Sequence, residues 1–445
     1  MSASFNLIDE PFIPCRMVNG TVELLNLRDA LARAHEVAEI ADSSPLTTFA
    51  LYRFILVIVH RCLKADDWTD ERLPMTEIEK YLTRWKDRFD LFGKHPFMQE
   101  AAGDEAKLLS ASELIAELPT ATNINHARHT QDDSVSLCPV CCARGLLRLA
   151  PFCGQGGQGK APSINAPPPA YFLPLGVTLF DTLRLNAAAL PQVDGDSPAW
   201  ENPRPTSARI GPMEAFTWEP RTVRMVPCEA DGTTCSLCGR SERATIHQIV
   251  FQKGRNRADT KVREWRDPHA AYAEDKSLIA PEVIQRTWSA DGFWRKTAAV
   301  ILRGEPFKSA AVESLGDTAY RVRVVSLHTR QAKVLHDRVD EWRVPPLTTE
   351  AQTKLLEQLE WLGAKLADVA DKVVSRSDLE RNAEVLFRRR LAGGTADEFR
   401  NGVCDLVAAL TPPPADPARP LAVAAARRQI AQAVRKAFPL PEVPT

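Results

Sequence analysis

The chain has 445 residues, 44% of them hydrophobic, with 56 Lys+Arg against 57 Asp+Glu and a formal net charge of -1. That length supports two or three domains with a sizeable core. The charge balance excludes a globally basic nucleic-acid binder, so any such contact has to be a local patch.

The opening "MSASFNLIDEPFIPC" carries Asp9 and Glu10 and lacks the basic-then-apolar pattern of a secretory signal. Its strand-like continuation to Leu27 contains Asn19-Gly20, a good hairpin turn. Helical periodicity then runs through "LRDALARAHEV", "PLTTFALYRFILVIVHRCL" and "PMTEIEKYLTRWKDRFDLF". In the second of these the uninterrupted apolar run is only Phe54 to Val59, flanked by Arg53 and His60. It falls far short of the roughly 20 residues of a membrane span. It is expected to be a buried helix in a cytoplasmic protein without membrane contact, where paired cysteines suggest metal before disulfide.

Residues 118–170 are rich in Asn, His, Gly, Gln and Pro and read as irregular structure with one short helix near "ARGLLRL". Residues 171–345 mix strand-like runs such as "AYRVRVVSLHT" with short helices such as "GFWRKTAAVILRG". Beyond "WRVPPLTTE" the pattern is helix upon helix, in four segments joined by short connections. The expected fold class is therefore α+β. A large, irregular mixed α/β domain with a structural zinc site spans 1–345, and an all-α four-helix bundle spans 346–445. The basic runs "RRR" (388–390) and "RRQIAQAVRK" are candidate contact surfaces of that bundle.

Ten cysteines are present, and two pairs have C-x-x-C spacing: Cys138/Cys141 in "LCPVC" and Cys235/Cys238 in "CSLCG". Each two-residue spacer lets two sulfurs face one ion, and two such knuckles supply the four sulfurs of tetrahedral zinc. The 93 intervening residues far exceed the usual gap of about 15–20, so the ion ties two remote segments together. Cys142 offers an alternative partner for Cys138. Cys15, Cys62, Cys153, Cys228 and Cys404 are assigned to packing. The zinc-deaminase signature is missing, since Pro139 lies inside the knuckle and no H-x-E precedes it.

After the second knuckle, residues 240–266 hold eight Lys or Arg against three acids, a local patch suited to phosphate neutralisation. "CGQGGQGK" (153–160) is glycine-rich but not a P-loop, because residue 161 is Ala where Ser or Thr is needed.

Several of these pieces together resemble the large subunit of type I-E Cascade, the CasA family. They are, in chain order, "FNLIDEPFIP", "KHPFMQ" (94–99), "ATN" (121–123), the knuckle "LCPVC", "CGQGGQGK", the knuckle "CSLCG" after its long gap, "RQAKVLHDRVDEW" and the helical C-terminus. The resemblance implies a non-enzymatic subunit of an RNA-guided surveillance complex. Such a subunit recognises the motif flanking the target (the PAM) in double-stranded DNA from the minor groove, starts strand separation and R-loop formation, and recruits a helicase-nuclease. The implied partners are the guide RNA complex, the backbone, guide 5′-handle and small subunits, the helicase-nuclease effector and target DNA. The implied metal is structural zinc on Cys138, Cys141, Cys235 and Cys238.

Gly156 and Gly157, with Lys160 closing the loop, fall at the family's glycine loop, where a missing side chain admits base edges. Lys253, 15 residues after Cys238, falls at its lysine finger, a long cation suited to the acceptor-lined minor groove. Gln331, with Arg330 beside it, falls at the wedge that unstacks the first base pair. Asn125, His126 and Arg128 fall in the first DNA-contacting loop. Two other readings of the same residues are a zinc-containing nuclease and a zinc-stabilised scaffold without DNA contact.

Overall fold

The computed structural model describes residues 4–410 except 65–66, 69–71, 101–106, 116–134, 155–162, 166–167, 203–208, 230–231, 242–243, 257–263, 274–292, 331–332, 371–372 and 374, and beyond them 428, 429 and 432; the side chains of 328–336 also fall outside it. The chain divides into two compact units. The first comprises Met1–Arg286, Ser309–Ser314 and Arg323–Asp340, and the second Thr287–Lys308, Leu315–Val322 and Glu341–Thr445.

The first unit opens with the expected hairpin, β1 (Ile13–Met17) and β2 (Val22–Leu25). Its turn needs a glycine, because Gly20 has φ +87°. The "LRDALARAHEV" stretch is only partly helical. α1 (Leu27–Ala32) stops early, and Val37–Ile40 becomes β3, which pairs antiparallel with β1. The edge of β1 offered unsatisfied backbone groups that the helical pattern did not foresee.

α2 (Pro45–Cys62) starts with Ser44 as N-cap and Pro45 in its first turn, and 15 of its 18 residues are buried. Among the described residues it is the one helix long and apolar enough to cross a membrane, and it lies in the core instead. A helix apolar on all sides needs neighbours all round. It packs against β3, α3 (Met75–Arg84), α4 (Pro139–Phe152), α5 (Leu179–Ala187) and α6 (Pro212–Phe216). β4 (Leu108–Ser110) and β5 (Tyr171–Leu175) lie between these helices in sequence. α4 replaces the short helix expected near "ARGLLRL", because Cys138 caps it and it starts at once.

β6 (Arg221–Glu229) and β7 (Ala244–Lys253) form a long antiparallel pair, with β4 on the other side of β7. β8 (Ala271–Ala273) follows. The "KHPFMQ" segment is structural: Phe97 stacks on Phe89 at 5.4 Å and on Trp200 at 5.6 Å. Gln99 donates to Leu91 O and accepts from Met225 N–H, stitching the segment to β6.

α7 (Phe293–Ile301) belongs to the second unit. β9 (Phe307–Ser309), α8 (Ala310–Glu313), β10 (Tyr320–Arg330) and β11 (Lys333–Val344) follow, and β10 lies between β11 and β5 in one sheet. The C-terminal helical segment contains α9 (Thr349–Val369), α10 (Arg376–Leu391) and α11 (Ala396–Leu410). The fourth expected helix lies almost wholly outside the described residues. The "RRR" surface is largely internal bonding. Arg388 sits 3.7 Å from the Trp342 ring and bonds Glu384, and Arg390 bonds Gln358, which leaves Arg389 facing outward.

α2 carries one buried charge. Arg53 pairs with Asp267 at 2.7 Å, both side chains at most 2% exposed, and lies 3.6 Å from the centre of the Phe216 ring. Asp267 also accepts from Asn165 Nδ2 (2.6 Å) and from the His269 backbone N–H. Burial pushes the His269 imidazole down to about 3. Asn186 spends its N–H groups on two backbone carbonyls, so its oxygen accepts from His269 Nε2–H at 2.9 Å.

Two outcomes follow from this network. Asp267→Ala strands a buried guanidinium and is expected to cost about 3–5 kcal/mol in urea unfolding. His269 takes up its proton only in the unfolded chain at mild acidity, so its contribution to stability is complete above roughly pH 6.5 and is lost as pH falls toward about 3. Urea midpoints at pH 7 and pH 5 are expected to differ less in His269→Gln than in the parent chain.

Candidate metal centre and nucleic-acid interface

The knuckles meet because backbone pairing brings them together. Leu137 and Ile246 exchange hydrogen bonds of 3.0 and 2.8 Å, an isolated bridge between the strand leading into α4 and the start of β7. Ser236 N–H donates to Ser136 O (2.7 Å), and Ser136 N–H donates to Ser236 Oγ (3.0 Å). Cys138 then caps α4, with its sulfur accepting from Cys141 N–H at 3.4 Å. The helix N-terminus favours a thiolate at that position. On the other knuckle, Gly239 N–H donates to Cys235 O (2.9 Å), and Gly239 takes φ +72° with open space around it, so it is required for conformation alone.

The sulfurs of Cys138, Cys141, Cys235 and Cys238 lie within 4.8 Å of one another; the first three residues are buried and Cys238 is exposed. Cys138 and Cys238 are 3.6 Å apart, and Cys141 and Cys235 are 3.7 Å apart. A tetrahedron with Zn–S bonds of about 2.3 Å has edges of about 3.8 Å. Cys142 is fully buried, one position further along α4, and is not in the group.

Hydrogen bonding to Cys138 and Cys235, reinforced by burial, pushes the Cys141 thiol up, whereas hydrogen bonding to Cys138 and Cys141 draws Cys235 down. Protons are thus shared unequally among crowded sulfurs. Four thiolates there require a cation in the protons' place. The donor set and spacing fit a closed tetrahedral dication.

Of the remaining cysteines, Cys15, Cys153 and Cys404 are buried and Cys62 is partly so. Cys228 is exposed on β6, which corrects its assignment to packing.

Lys253 is exposed at the end of β7, directly opposite Arg221 of β6. Arg221 turns inward and donates to Gly154 O at 2.9 Å. Gly154 begins the glycine-rich stretch, which Ser163 rejoins by donating its N–H to Cys153 O at 2.8 Å. Asn165 ties the returning strand to Asp267 and to Trp265 Nε1–H. The lysine thus stands beside the base of the glycine stretch. Gly254 lets the chain turn there, since a Cβ would lie 2.4 Å from Glu219 O.

Gly156, Gly157, Lys160, Asn125, His126, Arg128 and Gln331 lie outside the described residues, as does the side chain of Arg330 at the end of β10. Among the described residues of the basic run 240–266, one cation is spent inside the fold. Arg255 pairs at 2.6 Å with the buried Glu214 and covers Trp218. Sequence reasoning missed Arg221, Asn165 and Asp267, because nothing in the local pattern marks a residue whose partner is a loop carbonyl.

A model of the CRISPR-associated protein Cse1 family matches residues 6–437. The chain belongs to the Cse1/CasA family. CasA/Cse1 of Thermus thermophilus is 30% identical over 422 residues, covering 85% of this chain and 79% of that one. The solved structure of T. thermophilus CasA (Cse1) aligns at TM-score 0.68 and 27% identity, over 97% of this chain and 99% of that one. A chain of a CRISPR RNA-guided surveillance complex aligns at TM-score 0.72 over 97% and 99%; at 16% identity this shows shared Cse1 architecture alone.

If the four sulfurs form one centre, cobalt titration is expected to give one tetrahedral thiolate site per chain. Cys141→Ser and Cys235→Ser are expected to weaken it by ~10-fold or more, while Cys142→Ala leaves it intact. Affinity falls as pH is lowered, because each ligand must lose a proton to bind.

Proposed function

We propose that this chain is the non-catalytic large subunit of a type I-E RNA-guided surveillance complex. In this reading the chain recognises the PAM in double-stranded DNA from the minor groove and starts strand separation. It then recruits a helicase-nuclease to a complex that also holds the guide RNA and the backbone, 5′-handle and small subunits. Family membership supports the assembly, and a chain of a CRISPR RNA-guided surveillance complex has the same fold.

One observation carries the DNA-reading part. Two rigid elements leave the cysteine cluster and converge again at their far ends. α4 runs from Cys138 for 14 residues, about 21 Å at 1.5 Å per residue. β7 runs from the Ile246 bridge to Lys253, about 24 Å at 3.4 Å per residue. At that end Arg221 joins them, opposite Lys253 and bonded to Gly154.

Structural zinc on Cys138, Cys141, Cys235 and Cys238 would lock the near ends, and so set the separation of Lys253 from the glycine stretch. The metal supplies cross-linking and no bond-breaking chemistry. Lys253 presents a cation to the electronegative minor groove, and Gly156 and Gly157 admit base edges without steric conflict. Gln331 and Arg330 enter beneath the motif and unstack the first pair. That insertion costs a few kcal/mol, which new contacts and guide pairing offset. Asn125, His126, Arg128 and Lys160 add backbone contacts.

In the assembled complex, Lys253→Ala and Gly157→Asp are each expected to weaken gel-shift binding of target duplex by ~10-fold or more. Binding of a single-stranded target complementary to the guide should stay unchanged, because it needs no flank reading or unwinding. Unchanged duplex binding in both variants would leave a scaffold role; cleavage of DNA by the isolated chain would favour the nuclease reading.

A further inference from the structure

A cleft of about 480 Å³ lies in the first unit, away from the cysteine cluster. It is framed by Arg88 at the end of a 3-10 turn, Lys94 and His95 of the "KHPFMQ" segment, and Arg224 of β6, with Met98 and Trp200 as apolar floor. Each comes from a segment whose backbone is held for other reasons. Gln99 clamps the turn to β6 through Met225, Glu100 N–H donates to Val223 O, and Phe97 is buried against Trp200. The cations are therefore carried on a rigid frame.

Arg88, Lys94 and Arg224 make no ion pair among the described residues. Elsewhere in this near-neutral chain, arginines are matched with carboxylates, as Arg28 with Asp9, Arg33 with Glu23, Arg61 with Glu201 and Arg144 with Asp42. Two carboxylates also line the cleft, Glu100, which accepts from Thr222 Oγ1–H at 3.1 Å, and Glu219. Three cations against two carboxylates leave the concavity net positive, and with none of the three in an ion pair an incoming anion is favoured there. The volume lies within the ~300–1,000 Å³ range of small-ligand sites. Arginines suit phosphate, which they bind with paired N–H groups.

We propose that this cleft binds the phosphodiester backbone of a single-stranded nucleic-acid segment, with phosphate oxygens on Arg88, Lys94 and Arg224 and one nucleotide over Met98 and Trp200. The assignment rests on the reading of this chain as a nucleic-acid-contacting subunit. It adds a second contact region, because Arg224 points to the opposite face of the β6–β7 pair from Lys253. Guide RNA and target DNA share the chemistry, and the strand that occupies the cleft is what the test distinguishes.

The full chain is titrated with fluorescent rU8 and dT8 at several salt concentrations. Arg88→Gln/Lys94→Gln/Arg224→Gln is expected to bind at least ~10-fold more weakly, with the salt slope reduced by about 2, at about 0.7 per lost contact on a single strand. Arg88→Lys/Arg224→Lys keeps the slope, which separates lost charge from lost fold. In parallel, rU8 carrying 4-thiouridine and dT8 carrying 4-thiothymidine are photocrosslinked to the unaltered chain. Crosslinks to the peptide holding residues 94–100 support the site, from RNA alone for a guide segment, from DNA alone for a target segment, and from both for backbone recognition without sugar selectivity. An unchanged slope in the triple variant, crosslinks confined to other peptides, or tighter competition by polyglutamate than by rU8 overturns the proposal. Lys253→Ala tested on target duplex in the assembled complex separates the two failures, since loss of duplex binding there leaves the flank-reading role standing when the cleft proposal falls.

Discussion

The meeting of two turns 93 residues apart is the constraint on which the described functional geometry depends. A helix and a strand each hold their own length well but say little about where their ends lie relative to one another. Joining them at one end through four sulfurs, a backbone bridge and a serine exchange removes that freedom. At the other end Arg221, opposite Lys253, bonds Gly154 O and closes the frame. A modest number of bonds therefore fixes Lys253 against the base of the glycine stretch.

The core beneath this frame is unusually polar at one point. The Arg53–Asp267 pair, the Phe216 ring beside it and its hydrogen-bonded neighbours lie where the segment returning from the glycine stretch enters the fold. An apolar replacement of equal volume need not be less stable. What the ion pair adds is direction: Asp267 has one geometry in which Arg53, Asn165 and the His269 backbone are all satisfied. That geometry positions Asn165, and through it the loop foot. His269 is kept neutral at the same place, so the network adds no second buried cation.

Charge is sorted between structure and surface in a way that counting conceals. Arg255 and Arg388 sit in runs that look like basic surfaces, yet each covers a tryptophan and meets a carboxylate. Lys253 and Arg389 remain exposed. The cations of the Arg224 cleft come from two stretches of sequence far apart, Arg88 and Lys94 from one and Arg224 from the other. A patch made by folding is invisible to a window that slides along the chain.

Local chemistry alone determined a good part of this protein. The C-x-x-C spacing specifies a knuckle wherever it occurs, Asn-Gly specifies a turn, and an apolar stretch without a polar face specifies a buried helix. All three are present as expected, in the cysteine cluster, the β1–β2 hairpin and α2. Tertiary structure decided the rest. It chose Cys141 over Cys142, because the first turn of α4 aims residue 141 at the second knuckle and residue 142 into the core. It turned residues 37–40 into a strand, because an open sheet edge was waiting. It also selected Arg221 as the link between Lys253 and Gly154. Those outcomes depend on partners dozens of residues away, and sequence-local preferences of a few tenths of a kcal/mol carry no information about them.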